Sequence, residues 1–479
     1  MAVITPPGFD LQPSGQQVAL ATNYINNFDF LSQYLPDTYE KEFERYGNRT
    51  VASFLRMVGA EMPSNSDLIK WAEQGRLHTK YTACTSAAAA AANVAVWTIP
   101  AAQVNPPAPA SSAPANGFTA IRVGQTVMIS DETAGSVLSN KAIVTNVTNA
   151  APFDVTVAYY EAGGQAVAAG VNSSMFIYGS EFKKGQLGMT GSIEAQDYIF
   201  ENSPIIIKDT YEVNGSDMAQ IGWVEVTTEN GANGYLWYLK SEHETRLRFE
   251  DYLETAMVEA VPAEAGSGAA GAAGAVGNKG SEGVFHVVNT RGNVWSGGNP
   301  VALAGFDSVI QRLDKQGAIE ENVIFVNRQF SFDIDDMLAA QNSYGAGGTS
   351  YGLFDNDEEM ALNLGFTGFR RGYDFYKSDW KYLNDPTMRG GLTGGAINGL
   401  MVPAGSTTVY DQILGKNAKR PFLHVRYRAS ETEDRRYKTW ITGSAGGART
   451  SSLDAMTVNF LSERAVCTLG ANNFFLFRD

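Results

Sequence analysis

The chain has 479 residues, 44% of them hydrophobic and 18% charged, with 49 glycines, 21 tyrosines and 25 phenylalanines; this is the composition of a turn-rich, sheet-leaning folded protein. A net charge of −15 argues against nucleic acid as a direct ligand, because such binding needs clustered Lys and Arg. Two cysteines, Cys84 and Cys467, make no disulfide framework and read as buried thiols, and no run of about 18 apolar residues offers a membrane span.

Residues 1–33 carry only Asp10 and Asp29 as charges, and the first basic residue is Lys41. This is an extended arm that needs a partner surface to order it. Short helices are expected at Asp37–Tyr46, Thr50–Val58 and Ser66–Gln74, the last with Ser64, Asn65 and Ser66 for capping and Gly75 at its end. Strand patterns start near His78, with Thr79–Ala83 and then NVAVWTI after an alanine run. A Pro- and Ala-rich connector, residues 100–117, opens a series of alternating runs: Ala120–Ser130, Lys141–Val147, Asp154–Tyr160 and Ser174–Tyr178. Turn residues at near-regular spacing separate them, which predicts an inserted small β-barrel or sandwich at about residues 100–178. Asp197–Glu212 and Ala219–Thr227 read as paired long strands, the returning half of a hairpin that starts near Thr79.

The longest helical pattern follows, Gly234–Val261, without Pro or Gly after Tyr235 and ended by Pro262. Asn233 is its N-cap candidate. Leu236, Leu239, Leu247, Phe249, Leu253 and Met257 make an apolar stripe, while Glu242 with Arg246 and Glu244 with Arg248 form pairs four apart on the other face. A helix this long reads as a spine along a sheet or another subunit; a coiled-coil arm would need sustained heptads, which are absent. A Gly- and Ala-rich loop, Pro262–Gly283, leads to an expected strand at Val284–Asn289. Then come helix Asp307–Gln316, strand Asn322–Val326, helix Phe332–Asn342, an aromatic-rich stretch around residues 366–382, and the sheet segments Pro421–Arg428, Arg436–Thr442 and Met456 to the end.

No chemistry-bearing constellation emerges. His78, His243, His286 and His424 are far apart in sequence, with His286 and His424 placed in strands as structural residues, and zinc-ligand spacings are missing. The acids Asp333, Asp335 and Asp336 open a helix, and Asp355, Asp357, Glu358 and Glu359 lack the glycine and terminal glutamate of a calcium loop. The glycine-rich pieces Gly390–Gly399 and Thr442–Ser451 lack the setting of a P-loop. Arg370, Arg371, Arg435 and Arg436 are basic spots that can serve as intersubunit charge contacts with acidic patches on neighbouring copies.

The order of uncharged arm, short helices, strand, returning strand, long helix, Gly-rich loop, α/β region and final strands resembles the Hong Kong 97-like fold of tailed-bacteriophage major capsid proteins. The stretches EMPSNSDLIKWAEQGRLHTKY and GYLWYLKSEHETRLRFEDYLETAM look like those of crAss-like podoviruses and their relatives. The resemblance implies an α+β chain divided as follows: arm and short helices over 1–78; E-loop strands with the inserted domain over 79–231; spine helix and peripheral domain over 232–300; axial α/β domain over 301–440; C-terminal strands over 441–479. It further implies a non-enzymatic subunit without cofactor or metal, made in the host cytoplasm, that assembles as hexamers and pentamers into an icosahedral virion shell. Such a shell encloses double-stranded DNA without specific nucleic-acid binding, and works with portal and auxiliary or decoration proteins. The runner-up is an encapsulin-type compartment shell. A β-rich carbohydrate-active enzyme would need paired carboxylates in a cleft, which the sequence does not place.

Overall fold

The computed structural model describes residues 60–76, 78–103, 119–148, 152–191, 197–219, 226–227, 233–234, 237–270, 277–342, 367–392, 394–411, 416–447 and 449–479. The arm 1–33, the helices expected at Asp37–Tyr46 and Thr50–Val58, and the acids Asp355–Glu359 lie outside the described residues. Two compact units are present: Trp71–Phe200, and the described chain up to Lys70 together with that from Glu201 onward. The architecture mixes helices and sheets, with strands the more numerous among the described residues.

The chain opens with β1 (Ala60–Ser64) and β2 (Ile69–Gln74). A helix is expected over Ser66–Gln74, but the capping signals there serve a turn: the Leu68 backbone N–H donates to Ser66 Oγ at 3.2 Å. From Ile69 the burial alternates with period two, and β2 pairs with β9 (Asp197–Asn202) as a two-stranded sheet. The returning strand 197–202 therefore meets residues 69–74, not a strand starting near Thr79.

Between them, β3 (Lys80–Ser86), β4 (Val94–Ile99), β5 (Gln125–Asp131), β6 (Ser139–Val147), β7 (Phe153–Tyr159) and β8 (Ser173–Ser180) close into a barrel in the order β3-β4-β7-β6-β5-β8. The alternation that predicts barrel or sandwich resolves as a barrel, and its first two strands come from residues 80–99, ahead of the Pro-rich connector. Closure removes the edges that a six-stranded open sheet would leave unpaired. Inward-facing Trp97, Val127, Ile129, Val144, Phe153, Val155 and Val157 are all at most 1% exposed. Gln165 is buried among them: its amide donates to the Val167 carbonyl at 2.7 Å, and its carbonyl accepts from the Tyr159 hydroxyl at 3.2 Å.

After β9 come β10 (Ile205–Asn214), a helical turn Gly215–Met218, and the two-residue strands β11 (Val226–Thr227) and β12 (Asn233–Gly234), which pair with each other. Asn233 thus sits in a strand pair, and the helix that follows starts only at Trp237, so Asn233 is not its N-cap. Helix α1 runs over Trp237–Glu259. Next is α2 (Val284–Arg291), where a strand is expected; Val284, Val287 and Val288 are buried at helical spacing, so packing overrides the β propensity of the valines. The chain continues with β13 (Asn293–Ser296), α3 (Leu303–Gln316), β14 (Glu321–Val326), α4 (Arg328–Asn342), β15 (Gly368–Arg371), β16 (Tyr373–Asp379) and β17 (Ile397–Pro403). It ends with the hairpin β18 (Ser406–Asp411) and β19 (Lys416–Pro421), then β20 (Leu423–Arg428), β21 (Lys438–Gly443), β22 (Ala455–Thr468) and β23 (Phe475–Arg478).

Two sheets organise this unit. One has the order β1-β20-β22-β10, with β21 also paired to β22. The long strand β22 is antiparallel to β10 from Ala455 to Arg464, so residues 205–214 and the C-terminal region form one surface. The other sheet has the order β13-β23-β17-β14-β16-β15. Successive residues of its strands face opposite cores: Phe325, Leu400 and Leu476 join Val284 and Phe285 of α2, while Ile324, Met401 and Phe477 join Phe306 of α3 and Phe330 of α4. The docked C-terminal run Phe474–Phe477 is almost entirely buried.

Candidate functional site

Among the described residues, no group of three or more His, Cys, Asp or Glu is placed to hold a metal ion, and no helix is long and apolar enough to cross a membrane. The histidines stay apart. His286 lies on α2, not in a strand. His424 is 3% exposed in β20, with its Nδ1 3.2 Å from the Pro421 carbonyl. Burial pushes its imidazole down to about 4, against that backbone contact and helped by Arg426 and Arg420. Cys84 and Cys467 are free and buried, and burial pushes both thiols up to about 12, so neither is a nucleophile at neutral pH. The acids Asp333, Asp335 and Asp336 lie inside α4, not at its start. Asp335 is ion-paired with Lys377, and Asp333 accepts from Asn299 at 2.6 Å.

The long helix has a well-defined seat. Phe249, Leu253 and Met257 are 0%, 6% and 1% exposed, four residues apart along one face. Phe249 and Leu253 join Val213 of β10 and Met456, Val458 and Phe460 of β22 in one core. The Phe249 ring lies 5.7 Å from that of Phe460 and meets Tyr437 edge-on at 5.4 Å. Met257 and Val258 enter a second core with α2, Trp380 and Val466. The buried line thus starts at Thr245 and runs through 249, 253 and 257; Leu247 is half-buried beside it. Leu236 and the side chain of Leu239 lie outside what the structure describes. Glu242 meets Arg246 at 3.4 Å on the outer face. At the helix end, Glu259 accepts from the Tyr382 hydroxyl at 2.8 Å and pairs with Arg389 at 3.1 Å. Burial and that carboxylate push the Tyr382 phenol well above its usual range. The Gly283 N–H donates to the Ala260 carbonyl at 2.8 Å, which closes the helix onto the start of α2.

The four arginines singled out in the sequence all have acids within the chain. Arg370 pairs with Asp374 at 3.1 Å, Arg371 holds Asp307 with two contacts, Arg435 pairs with Glu463 at 2.6 Å, and Arg436 pairs with Glu61. Glu61, Glu463 and Arg464 escape the sequence reading. For Glu463 and Arg464 the signal is a Glu-Arg pair inside the apolar run NFLSERAVCTL, where charge in a buried strand calls for partners; Glu61 carries no such signal. On the barrel, an open groove of about 660 Å³ is lined by His78, Gln125, Phe176, Tyr178 and Met189, without a cluster of ionisable groups.

No family model and no curated protein matches the chain. Solved structures do show similarity. A Microbacterium phage Oxtober96 chain is 10% identical, with a TM-score of 0.37, over 95% of this chain and 99% of its own. The capsid of a native GTA particle gives 10% identity and a TM-score of 0.36 over the same shares, 95% and 99%. A holo-encapsulin complex from Synechococcus elongatus gives 9% identity and a TM-score of 0.30 over 60% of this chain and 76% of that one.

Proposed function

We propose that this chain is a shell-forming major capsid subunit of a tailed bacteriophage. The observation that carries the reading is an arrangement within the chain. A two-stranded ribbon, β2 with β9, precedes a long helix that lies along β10 and the returning strand β22, and a separate mixed sheet takes β13 to β17 from the segment between them and β23 from the residues after β22. We read this arrangement as the E-loop, spine and axial order that the sequence resemblance implies, with the ribbon starting at Ile69 instead of near Thr79. In this reading α1, through Phe249, Leu253 and Met257, is the spine of the peripheral domain, and residues 301–440 form the axial domain. The barrel between Lys80 and Ser180 is an insertion carried by the ribbon.

The subunit works by self-association, as hexamers and pentamers enclosing double-stranded DNA in a virion, with portal and decoration proteins as partners and no catalytic step. Among the four arginines, Arg370 has the most exposed side chain, 74%, and is the one we assign to contact with a neighbouring copy. Analytical ultracentrifugation of the purified full chain tests the reading. Species of many subunits, in exchange with or replacing the 51.6 kDa monomer, are expected; a monomer at every concentration would contradict it. Neighbouring genes decide the narrower class: portal and terminase genes for a phage of the crAss-like or related podovirus type, a cargo enzyme gene for an encapsulin.

A further inference from the structure

The open groove on the barrel forms where β8 bulges. Thr126 of β5 pairs with Gly179 and Val127 with Ile177, so Tyr178 is an extra residue without a partner on β5. Tyr178 and Phe176, which line the groove, stay 47% and 39% exposed, with Lys141 Nζ over the Tyr178 ring at 5.9 Å from its centre. Aromatic rings left in water side by side mark a contact surface. Gly179 has no side chain to cover this wall. A Cβ there would lie 3.2 Å from Thr126 Oγ1, so the gap opens over that hydroxyl. Thr126 is 5% exposed, and its Oγ1 has no hydrogen-bond partner among the described residues. A buried hydroxyl left unpaired is a cost that a bound molecule relieves. Gln125, also on the groove, accepts from the Arg122 backbone N–H at 2.7 Å through its carbonyl, which leaves its amide N–H groups as donors.

We propose that this groove binds a short neutral oligosaccharide. The inference needs only the barrel and stands apart from the reading of function above. The apolar faces of sugar rings pack on Phe176 and Tyr178, and sugar hydroxyls, which both donate and accept, meet the Gln125 amide, the His78 ring and the Thr126 hydroxyl. The volume of about 660 Å³ suits a ligand of that size. The described lining has no carboxylate, ammonium or guanidinium, so a phosphorylated or otherwise charged ligand finds no counter-charge there. Its eight residues fall well short of the roughly 20–30 per side of a standard protein interface. An extended peptide has no edge to join, because each strand of the closed barrel already has two neighbours. A polyproline helix would use the rings, but it has no N–H to give, whereas a sugar hydroxyl matches groups that both donate and accept.

Saturation-transfer NMR on the full chain tests this, with linear trimers of glucose, mannose, galactose and N-acetylglucosamine as probes and a decaproline peptide as the rival. Each probe is used at about 10 mM, above the ~1 mM Kd that a few such contacts give. At least one trimer should bind. Tyr178→Ala should weaken that binding about tenfold or more, while Tyr178→Phe, which keeps the ring, should retain it. Gly179→Val, which fills the gap over Thr126, should abolish it. Val301→Ala, at a position 64% exposed in the other compact unit, should change nothing. Should Gly179→Val not fold, Thr126→Val on the groove floor replaces it and should weaken binding. No trimer bound, trimer binding that ignores Tyr178→Ala and the filled or altered floor, or binding of decaproline alone would overturn the proposal.

Discussion

The indole N–H of Trp97 donates to the Tyr159 hydroxyl at 2.8 Å inside the barrel, and that hydroxyl passes the chain on to the Gln165 carbonyl at 3.2 Å. Three residues from two strands and a loop thereby satisfy one another, with Trp97 and Gln165 buried and Tyr159 half-buried. Trp97→Phe should leave Tyr159 short of a donor and open space, costing about 2–3 kcal/mol. Gln165→Leu should cost a similar amount, because Ser86, Ala88 and Val167 also lose their partner. Thermal unfolding followed by tryptophan fluorescence and circular dichroism measures both.

The seat of α1 predicts a graded series. Phe249→Ala and Leu253→Ala each remove a buried side chain from the core shared with β10 and β22 and should cost about 2–5 kcal/mol. Leu247→Ala, at a half-buried position beside that line, should cost about 1 kcal/mol. Urea unfolding of subunits kept unassembled ranks the three. Equal losses would mean that the helix does not use the face described.

Gly283 marks a close approach. A Cβ there would lie 2.6 Å from the Ala260 carbonyl oxygen and 2.8 Å from that of Val258, both backbone atoms at the end of α1. Gly283→Ala should push α2 away from α1, lower stability by about 2–4 kcal/mol and reduce assembly with it. The same denaturation measurement reads it, and Gly297→Ala, where a Cβ meets nothing, separates crowding from backbone strain, since its φ is +117°.

His424 gives stability a defined pH dependence. Its folded value lies near 4, below the unfolded value near 6.5, so the unfolded chain binds the proton first. Above pH ~6.5 the residue has no effect; as pH falls from ~6.5 towards ~4 it removes roughly 3 kcal/mol of stability. Unfolding free energies between pH 7 and pH 4 should therefore fall more steeply in the parent than in His424→Gln.

Much of this architecture is legible in the sequence, in places where periodicity and punctuation agree. The uninterrupted pattern ended by Pro262 marks α1, and alternating runs between turns mark the barrel strands β5 to β8. The misreadings share a cause, which is that local signals yield to partners remote in sequence. Ser64, Asn65 and Ser66 suggest a cap, but residues 69–74 become a strand because residues 197–202 pair with them. Val284–Arg291 carries β-branched residues, but its helical spacing suits the pocket between α1 and the mixed sheet. The pairing of β1 with the charges of β22 is harder still to see, since Glu61 and Arg464 are 403 positions apart and nothing around Glu61 marks it as the partner of a buried arginine.

The central claim is that this chain builds a closed shell, and electron microscopy of the purified full-length protein tests it most directly. The account predicts curved lattices of six- and five-fold rings, as closed particles or open sheets, that fail to form when Phe249 is replaced by alanine. Dispersed single molecules under every salt and concentration condition tried, from protein whose circular dichroism shows it folded, would contradict it.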